Sequence, residues 1–378
     1  MSAQPDVKGW CPGAFKPMMS GDGLIVRVRP FFARLSREQV LGLCDLVHSY
    51  GSGILDLTNR ANLQIRGVSE DAFDALLSAL NDLGLLDPTP ETEARRNILV
   101  TPFWRDGDDT RRIVGELLAR LPELPDLPAK FGYAIDAGRT RLLHQGSADI
   151  RVERGAAGLI VRADGAPSGR PVSSGVVVQT MIDLAQWFAA HRRPEDRRMR
   201  HVLKHTPLPT TWSGAAPVAA APEPHPGAHP LGHLLGAPFG QIGAAALEQA
   251  MATSRAKALR VTPWRLFLLE DPQGPVDGPF IAKRDDPLLH VDACPGAPYC
   301  GSASVETRGL ARQLAGRAPG SLHVSGCVKG CARTRPADQT FVGNDGRFDL
   351  VQNGCAWDAP RKSRLTPDDA LAEVKSHS

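Results

Sequence analysis

Four of the seven cysteines are spaced for metal or redox chemistry. Cys294 and Cys300 flank five residues in DACPGAPYCGSA, Cys327 and Cys331 flank three in HVSGCVKGCAR, and 26 residues separate the pairs. Gly296, Gly301, Gly326 and Gly330 border them; glycines permit tight turns and let backbone N–H groups approach sulfur. On spacing alone three readings stay open. Four thiolates on two Gly-rich loops suit an iron–sulfur cluster. Structural zinc usually takes pairs about two to four residues apart, so the first gap is wide for it. Inert thiols are the third reading. Leu322 and Val324 predict a short strand leading into Cys327. A helix from Ser302 to Ala315 is expected just after Cys300, its N-terminal amides favouring an electron-rich sulfur. Of the remaining cysteines, Cys44 reads as a core thiol, Cys11 as structural and Cys355 as incidental.

The elements that must position these loops are legible from periodicity. Leu24, Val26 and Val28 alternate with Ile25, Arg27 and Arg29, a strand ending at Pro30. Ser36 and Gln39 form a capping box with Leu35 and Val40 as staple, opening a helix that buries Val40, Leu43, Cys44 and Val47 and stops near Gly51. Strands over Gly53 to Leu57 and Asn62 to Gly67 are joined through Thr58-Asn59-Arg60-Ala61. A helix capped by Ser69 buries Phe73, Leu76, Leu77, Leu80 and Leu83 and closes at Gly84. This βαββα order is close to half of a ferredoxin-like fold. Beyond the break at Asp87-Pro88-Thr89-Pro90, strands are expected at Ile98 to Val100, Phe131 to Ile135, Asp149 to Val152 and Leu159 to Arg162. Helices are expected at Arg111 to Leu121 and Val177 to Ala190. Residues 206–236, rich in Pro, Ala, Gly and His, read as an extended connector. The early pattern then recurs: a helix over Gly243 to Thr253 and strands at Ala258 to Val261 and Leu266 to Leu269 around Thr262-Pro263-Trp264-Arg265.

Composition sets outer bounds. A chain of 378 residues predicts at least two domains. A net charge of +3 is too even for a chain whose main task is gripping nucleic acid. No apolar run approaches the roughly 18 residues of a membrane helix, and the N-terminus lacks a secretory pattern. A cytoplasmic protein is expected, with cysteines as ligands or buried thiols rather than disulfides.

The Cys-x5-Cys and Gly-Cys-x3-Cys pairs resemble the signature of the siroheme-dependent sulfite and nitrite reductases. LTNRANLQIRG at 57–67 resembles that family's Thr-x-Arg-x-x-x-Gln segment, ARRNILVTPF at 94–103 its Arg-Asn segment and LPAKFGYAID at 127–136 its Leu-Pro-x-Lys-Phe segment. The resemblance implies an α+β fold of two pseudo-repeated halves, each a ferredoxin-like unit plus an α/β cofactor-binding unit. On that plan residues 1–86 and 237–283 are the ferredoxin-like units, 87–205 the first α/β unit, 206–236 the connector and 284–378 the cluster-binding unit. It also implies a [4Fe–4S] cluster on Cys294, Cys300, Cys327 and Cys331.

One departure bears on function. The reductases carry a second lysine two residues after Lys130, and here Gly132 stands there. A site reducing a small oxyanion needs concentrated positive charge. The opening WCPGAFKPMMSGDG and Lys329, where the reductases have Asn, look closest to a monooxygenase branch of aerobic cobalamin biosynthesis. That branch hydroxylates precorrin-3A at C20 with O2 and closes a γ-lactone; the alternative is a siroheme-dependent nitrite or sulfite reductase. By motif position Arg60, Arg96 and Lys130 are the expected catalytic cations, and with Asn62, Gln64 and Arg66 they are expected to bind the substrate's carboxylates. Arg27 and Arg29 are seconds. Either siroheme or a mononuclear non-haem iron would activate O2. For the iron, two His and a carboxylate are usual; His225, His229 and His233 of the connector and His144, His201 and His205 are candidates, and none is singled out as a ligand. No Gly-x-Gly-x-x-Gly joins a strand to a helix, so electrons are expected from an external donor, an NADH-dependent reductase.

Overall fold

The computed structural model describes residues 12–318 and 320–375. The chain begins with strands β1 (Met18–Ser20), β2 (Gly23–Val28) and β3 (Arg34–Ser36), then helix α1 (Arg37–Tyr50) and strands β4 (Ile54–Leu57) and β5 (Leu63–Val68). Helices α2 (Phe73–Asp82) and α3 (Pro90–Arg95) lead to β6 (Ile98–Val100), α4 (Asp109–Ala119), β7 (Tyr133–Ile135), β8 (Ile150–Gly155), β9 (Gly158–Ala163) and β10 (Arg170–Val172). After α5 (Val177–His191) and α6 (Met199–Val202) come β11 (Gly227–His229), β12 (Gly232–Gly236), β13 (Gln241–Gly243), α7 (Ala244–Ser254), β14 (Ala258–Val261) and β15 (Leu266–Glu270). The last unit holds β16 (Val291–Ala293), α8 (Arg308–Leu314), β17 (Leu322–Ser325), β18 (Ala337–Asn344), β19 (Arg347–Gly354), β20 (Lys362–Leu365) and α9 (Pro367–Lys375).

Local rules account for the first elements. The capping box at α1 is formed: Gln39 N donates to Ser36 Oγ at 3.2 Å and Ser36 N to Gln39 Oε1 at 3.0 Å. The helix buries Val40, Leu43, Cys44 and Val47. In β2 the alternation puts Leu24, Val26 and Val28 inside and leaves Arg27 on the other face.

Four five-stranded sheets result, and they come in two matching pairs. The first sheet runs β1-β2-β5-β4-β13 and the third β11-β12-β15-β14-β3, both antiparallel throughout. In the second sheet β6, β7 and β8 are parallel and β9 and β10 antiparallel; β16 to β20 repeat that order. The repeat extends to backbone detail. Phe32 before β3 and Phe239 before β13 both take φ of 58°. In the turn after β4, Ala61 has φ of 53°, and in the turn after β14, Arg265 has φ of 58°. Thr58 and Thr262 brace these turns identically, each hydroxyl accepting the amide two residues on, from Arg60 and Trp264 at 3.3 Å.

The two ferredoxin-like units exchange an edge. β3 pairs with β14 of the second unit, while β13 pairs with β4 of the first. Helices α1 and α7 pack on each other across the exchange. Residues 291–374 keep a core of their own around Leu314, Val324, Phe341 and Phe348, to which Phe239 and the half-buried Leu288 are added from outside.

Two expectations are corrected. The stretch 206–236 is not connector throughout, because β11 and β12 close the third sheet within it; their Gly227, Gly232 and Gly236 made them read as loop. The helix expected from Ser302 begins only at Arg308, so its first turn does not directly follow Cys300.

Candidate functional site

Register lays a polar row across the first sheet. Arg27 on β2 is opposite Gln64 on β5, Gln64 opposite Asp56 on β4, and Asp56 opposite Gln241 on β13. Residues directly opposite point to the same face. The neighbouring row of Val26, Ile65, Leu55 and Ile242 faces the core instead. Period two along β5 adds Asn62 and Arg66 to the polar face, and Arg29 follows Arg27 in the same way.

At one end of this face the Thr58–Ala61 turn meets the start of β6. Arg29, Arg60, Asn62, Arg96 and Asn97 line a small pocket there with Ala61, Ile98 and Val100. The Arg60 guanidinium donates to Asn97 Oδ1 and, at 3.1 Å, to Ser147 Oγ. Asn97 Nδ2 donates in turn to the Phe131 carbonyl at 2.8 Å, which fixes the amide that orients Arg60. Lys130 beside them is half-buried and makes no ion pair among the described residues. Gly132 is packed tight: a Cβ there would lie 2.7 Å from Asn97 Nδ2 and 2.9 Å from Asn97 O. Its amide donates to Asp149 Oδ2 at 3.0 Å, and Arg198 braces that carboxylate at 2.9 Å. A lysine at this position would displace Asn97 and release Arg60.

Two expected substrate cations are otherwise engaged. Arg96 lies in the pocket wall, but its fork grips Asp87 at 2.6 and 2.8 Å and its plane covers Phe31 at 4.1 Å. Arg66 is 4% exposed and grips Asp22 at 2.7 and 2.9 Å. The sequence assigns both to substrate carboxylates; the structure spends both forks on protein carboxylates, which a motif comparison cannot see.

At the other end stand the cysteine loops. Cys294 follows β16 and Cys327 follows β17, so the pairs leave the carboxyl ends of adjacent parallel strands. Gly326 N donates to Cys294 Sγ at 3.1 Å, the amide-to-sulfur approach that the flanking glycines suggested. Cys294 is buried, Cys300 and Cys327 are half-buried, and Cys331 is exposed. Desolvation raises the Cys327 thiol and pushes that of Cys331 up to about 11, and in both cases the other cysteines add to the effect while Lys329 opposes it. Such thiols ionise readily only when a cation joins them. Among the described residues no three His, Cys, Asp or Glu groups converge on a point that would hold a single ion. Cys327 and Cys331 each interact electrostatically with Cys294 and Cys300, and four thiolates gathered on two Gly-rich loops fit an iron–sulfur cluster.

Comparison with known proteins agrees with this layout. Residues 16–83 match the model of the nitrite/sulfite reductase ferredoxin-like half domain. The structure superposes on that of the Mycobacterium tuberculosis NirA protein with a TM-score of 0.65 at 20% identity, covering 93% of this chain and 79% of the other. The fold is that of the nitrite/sulfite reductases. Within that fold the chain is 29% identical to a precorrin-3B synthase of Sinorhizobium sp, over 97% of its own length and 87% of the relative's. A ferredoxin–nitrite reductase of Leptolyngbya laminosa is 24% identical over 90% of this chain and 80% of that one.

The nitrite/sulfite reductase fold disperses the candidate histidines. His205 pairs with Asp196 at 2.7 Å, and His229 stacks on Phe103. None of His144, His201, His205, His225, His229 and His233 joins a group of three metal-ligating side chains among the described residues. Cys44 is buried in α1 and burial pushes its thiol up to about 12, as a core residue. Cys355 is buried after β19; Cys11 lies outside the described residues. Sequence reasoning passed over Asn97, Ser147, Asp149 and Arg198. Asn97 had a signal, since it stands in the Arg-Asn segment; the others become visible through contacts 17 to 87 residues apart. No helix among the described residues is long and apolar enough to cross a membrane.

Proposed function

We propose that the chain is a precorrin-3B synthase, a monooxygenase that hydroxylates precorrin-3A at C20 with O2 and closes the γ-lactone. The observation that carries this over oxyanion reduction is Gly132. The fold's reductase members place a second cation there, and in this chain the space is taken by Asn97. What remains is a sheet face rich in hydrogen-bonding groups, which supports a large polycarboxylate over a small oxyanion.

The polar face of β2 and β5 binds the macrocycle's acetate and propionate groups between the Arg60 turn and the cysteine loops. Six residues of strand at about 3.3 Å each give roughly 20 Å, room for a tetrapyrrole. Arg60, held by Asn97 and Ser147, and Lys130 supply the cations at one end; Arg27, Arg29, Asn62 and Gln64 contact the edges. Arg66 and Arg96 brace the walls. Cys294, Cys300, Cys327 and Cys331 would hold a [4Fe–4S] cluster, which supplies single electrons when bound. The overall change consumes the substrate, O2, two electrons and two protons and releases hydroxylated product and water. Those electrons come from an external donor, an NADH-dependent reductase by preference.

Anaerobic purification with iron and sulfide quantification and EPR tests this directly. About four irons per chain with acid-labile sulfide, and O2-dependent conversion of precorrin-3A, are expected. A siroheme absorption band with sulfite or nitrite reduction would replace this reading by the reductase one. Zinc without sulfide would overturn both.

A further inference from the structure

We propose that Arg66 is a positioning residue for Cys300, through which the first sheet sets the first cysteine loop; this rests on the cluster reading of the four cysteines. The carbonyl of Tyr299, the residue joined to Cys300, accepts three hydrogen bonds, all from the first sheet. The donors are Ser20 Oγ at 2.7 Å, Arg66 Nη2 at 2.8 Å and Gly21 N at 3.3 Å. None belongs to the unit that carries the cysteines. Close docking is built into the hairpin, since a Cβ on Gly21 would sit 2.1 Å from the Pro298 carbonyl.

Arg66 is itself held rigidly. Its Nε and Nη2 fork on Asp22 at 2.9 and 2.7 Å, and Nη1 meets Asp56 at 3.3 Å. The other oxygen of Asp56 accepts from Arg308 of α8 at 3.0 Å. Two carboxylates and two guanidinium groups thus form one network, with side chains 5 to 11% exposed. Nε, Nη1 and Nη2 of Arg66 and both oxygens of Asp56 are engaged in it, which leaves Arg66 few geometries. The strand that offers Asn62 and Gln64 to the cleft therefore also fixes a cluster ligand. Position, not charge alone, passes between the two sites.

The test uses Arg66→Met, Arg66→Lys and Ser20→Ala in the complete chain. In the loaded protein, R66M is expected to lose its cluster to a chelator about ten-fold faster, with a shifted EPR spectrum, as befits losing a charge-assisted bond. R66K restores charge without the fork and should fall between; S20A removes one donor and should show a smaller shift in the same direction. In metal-free protein, R66M should raise alkylation of Cys300 several-fold, read by peptide mass, and leave Cys331 unchanged. A folded R66M with parental bleaching, spectrum and Cys300 labelling would overturn the proposal. If R66M fails to fold, parental values in S20A do so equally. A parent chain that binds no cluster refutes the cluster reading, while the alkylation contrast still decides the role of Arg66.

Discussion

Arg60 is worth more than its charge, because Asn97 and Ser147 hold its guanidinium in one orientation before any ligand arrives. Pre-orientation removes rotamer entropy that binding would otherwise cost. Arg60→Met should weaken precorrin-3A binding by about ten- to a hundred-fold, the loss of a charge-assisted contact. Arg60→Lys should recover little, since one ammonium cannot bridge both partners. An absorbance titration of anaerobic protein checks both, and equal affinity in R60M and parent would remove Arg60 from the site. Arg60 was legible because LTNRANLQIRG resembles the reductases' Thr-x-Arg-x-x-x-Gln segment, and the structure shows Thr58 bracing that turn. The engagement of Arg66 and Arg96 was not legible. Asp22 is 44 residues from Arg66, and nothing in local pattern announces such a partner.

Elements with local causes were read well and those with distant causes were not. The α1 capping box, the β2 alternation and the second helix–strand–turn–strand repeat all follow from near neighbours. The strands β11 and β12 are Gly-rich, β11 pairing with β12 and β12 with the distant β15, so composition hid them. β17 carries a further feature that periodicity cannot show. His323 is fully buried, and among the described residues neither ring nitrogen has a hydrogen-bond partner. Burial pushes its pKa down to about 4, Asp292 opposing and Arg333 assisting. The unfolded chain takes up a proton near pH 6.5 that the folded chain refuses. The neutral imidazole therefore costs nothing above about pH 6.5, and stability is lost as pH falls toward about 4, by roughly 3 kcal/mol. His323→Leu should flatten this part of the acid profile. Thermal melts of metal-free parent and H323L between pH 6.5 and 4 measure it, and identical slopes would refute the assignment.

The whole molecule is one plan used twice with opposite chemistry. Asp56 and Arg66 in the first sheet stand where Arg260 and Glu270 stand in the third, the same pair with its signs reversed. Each pair reaches out to the neighbouring α/β unit. Arg66 holds the Tyr299 carbonyl, while Arg260 donates to the Pro102 and Trp104 carbonyls at 2.8 and 2.7 Å. Only one of these loops, the one after β16, carries cysteines; the one after β6 carries Phe103 and Trp104. Trp264 replaces Arg60 in the matching turn and continues a stack through Phe103 to His229. One half is thus equipped for polar ligands, and its twin is packed with rings. The exchanged strands bind the halves into one folding unit. Without β13 the first sheet exposes the edge of β4, and without β3 the third exposes β14. Unpaired edges backed by an apolar face aggregate. Residues 1–205 and 206–378 expressed separately should each be insoluble or melt without a cooperative transition. Expressed together they should co-purify as a one-to-one complex with a single melt, since each supplies the other's missing edge and the α1–α7 contact. A soluble, cooperatively melting monomer of either piece would show that the edges close without exchange. In that case the Arg66 clamp, rather than strand exchange, would be what joins the first sheet to the cysteine loops.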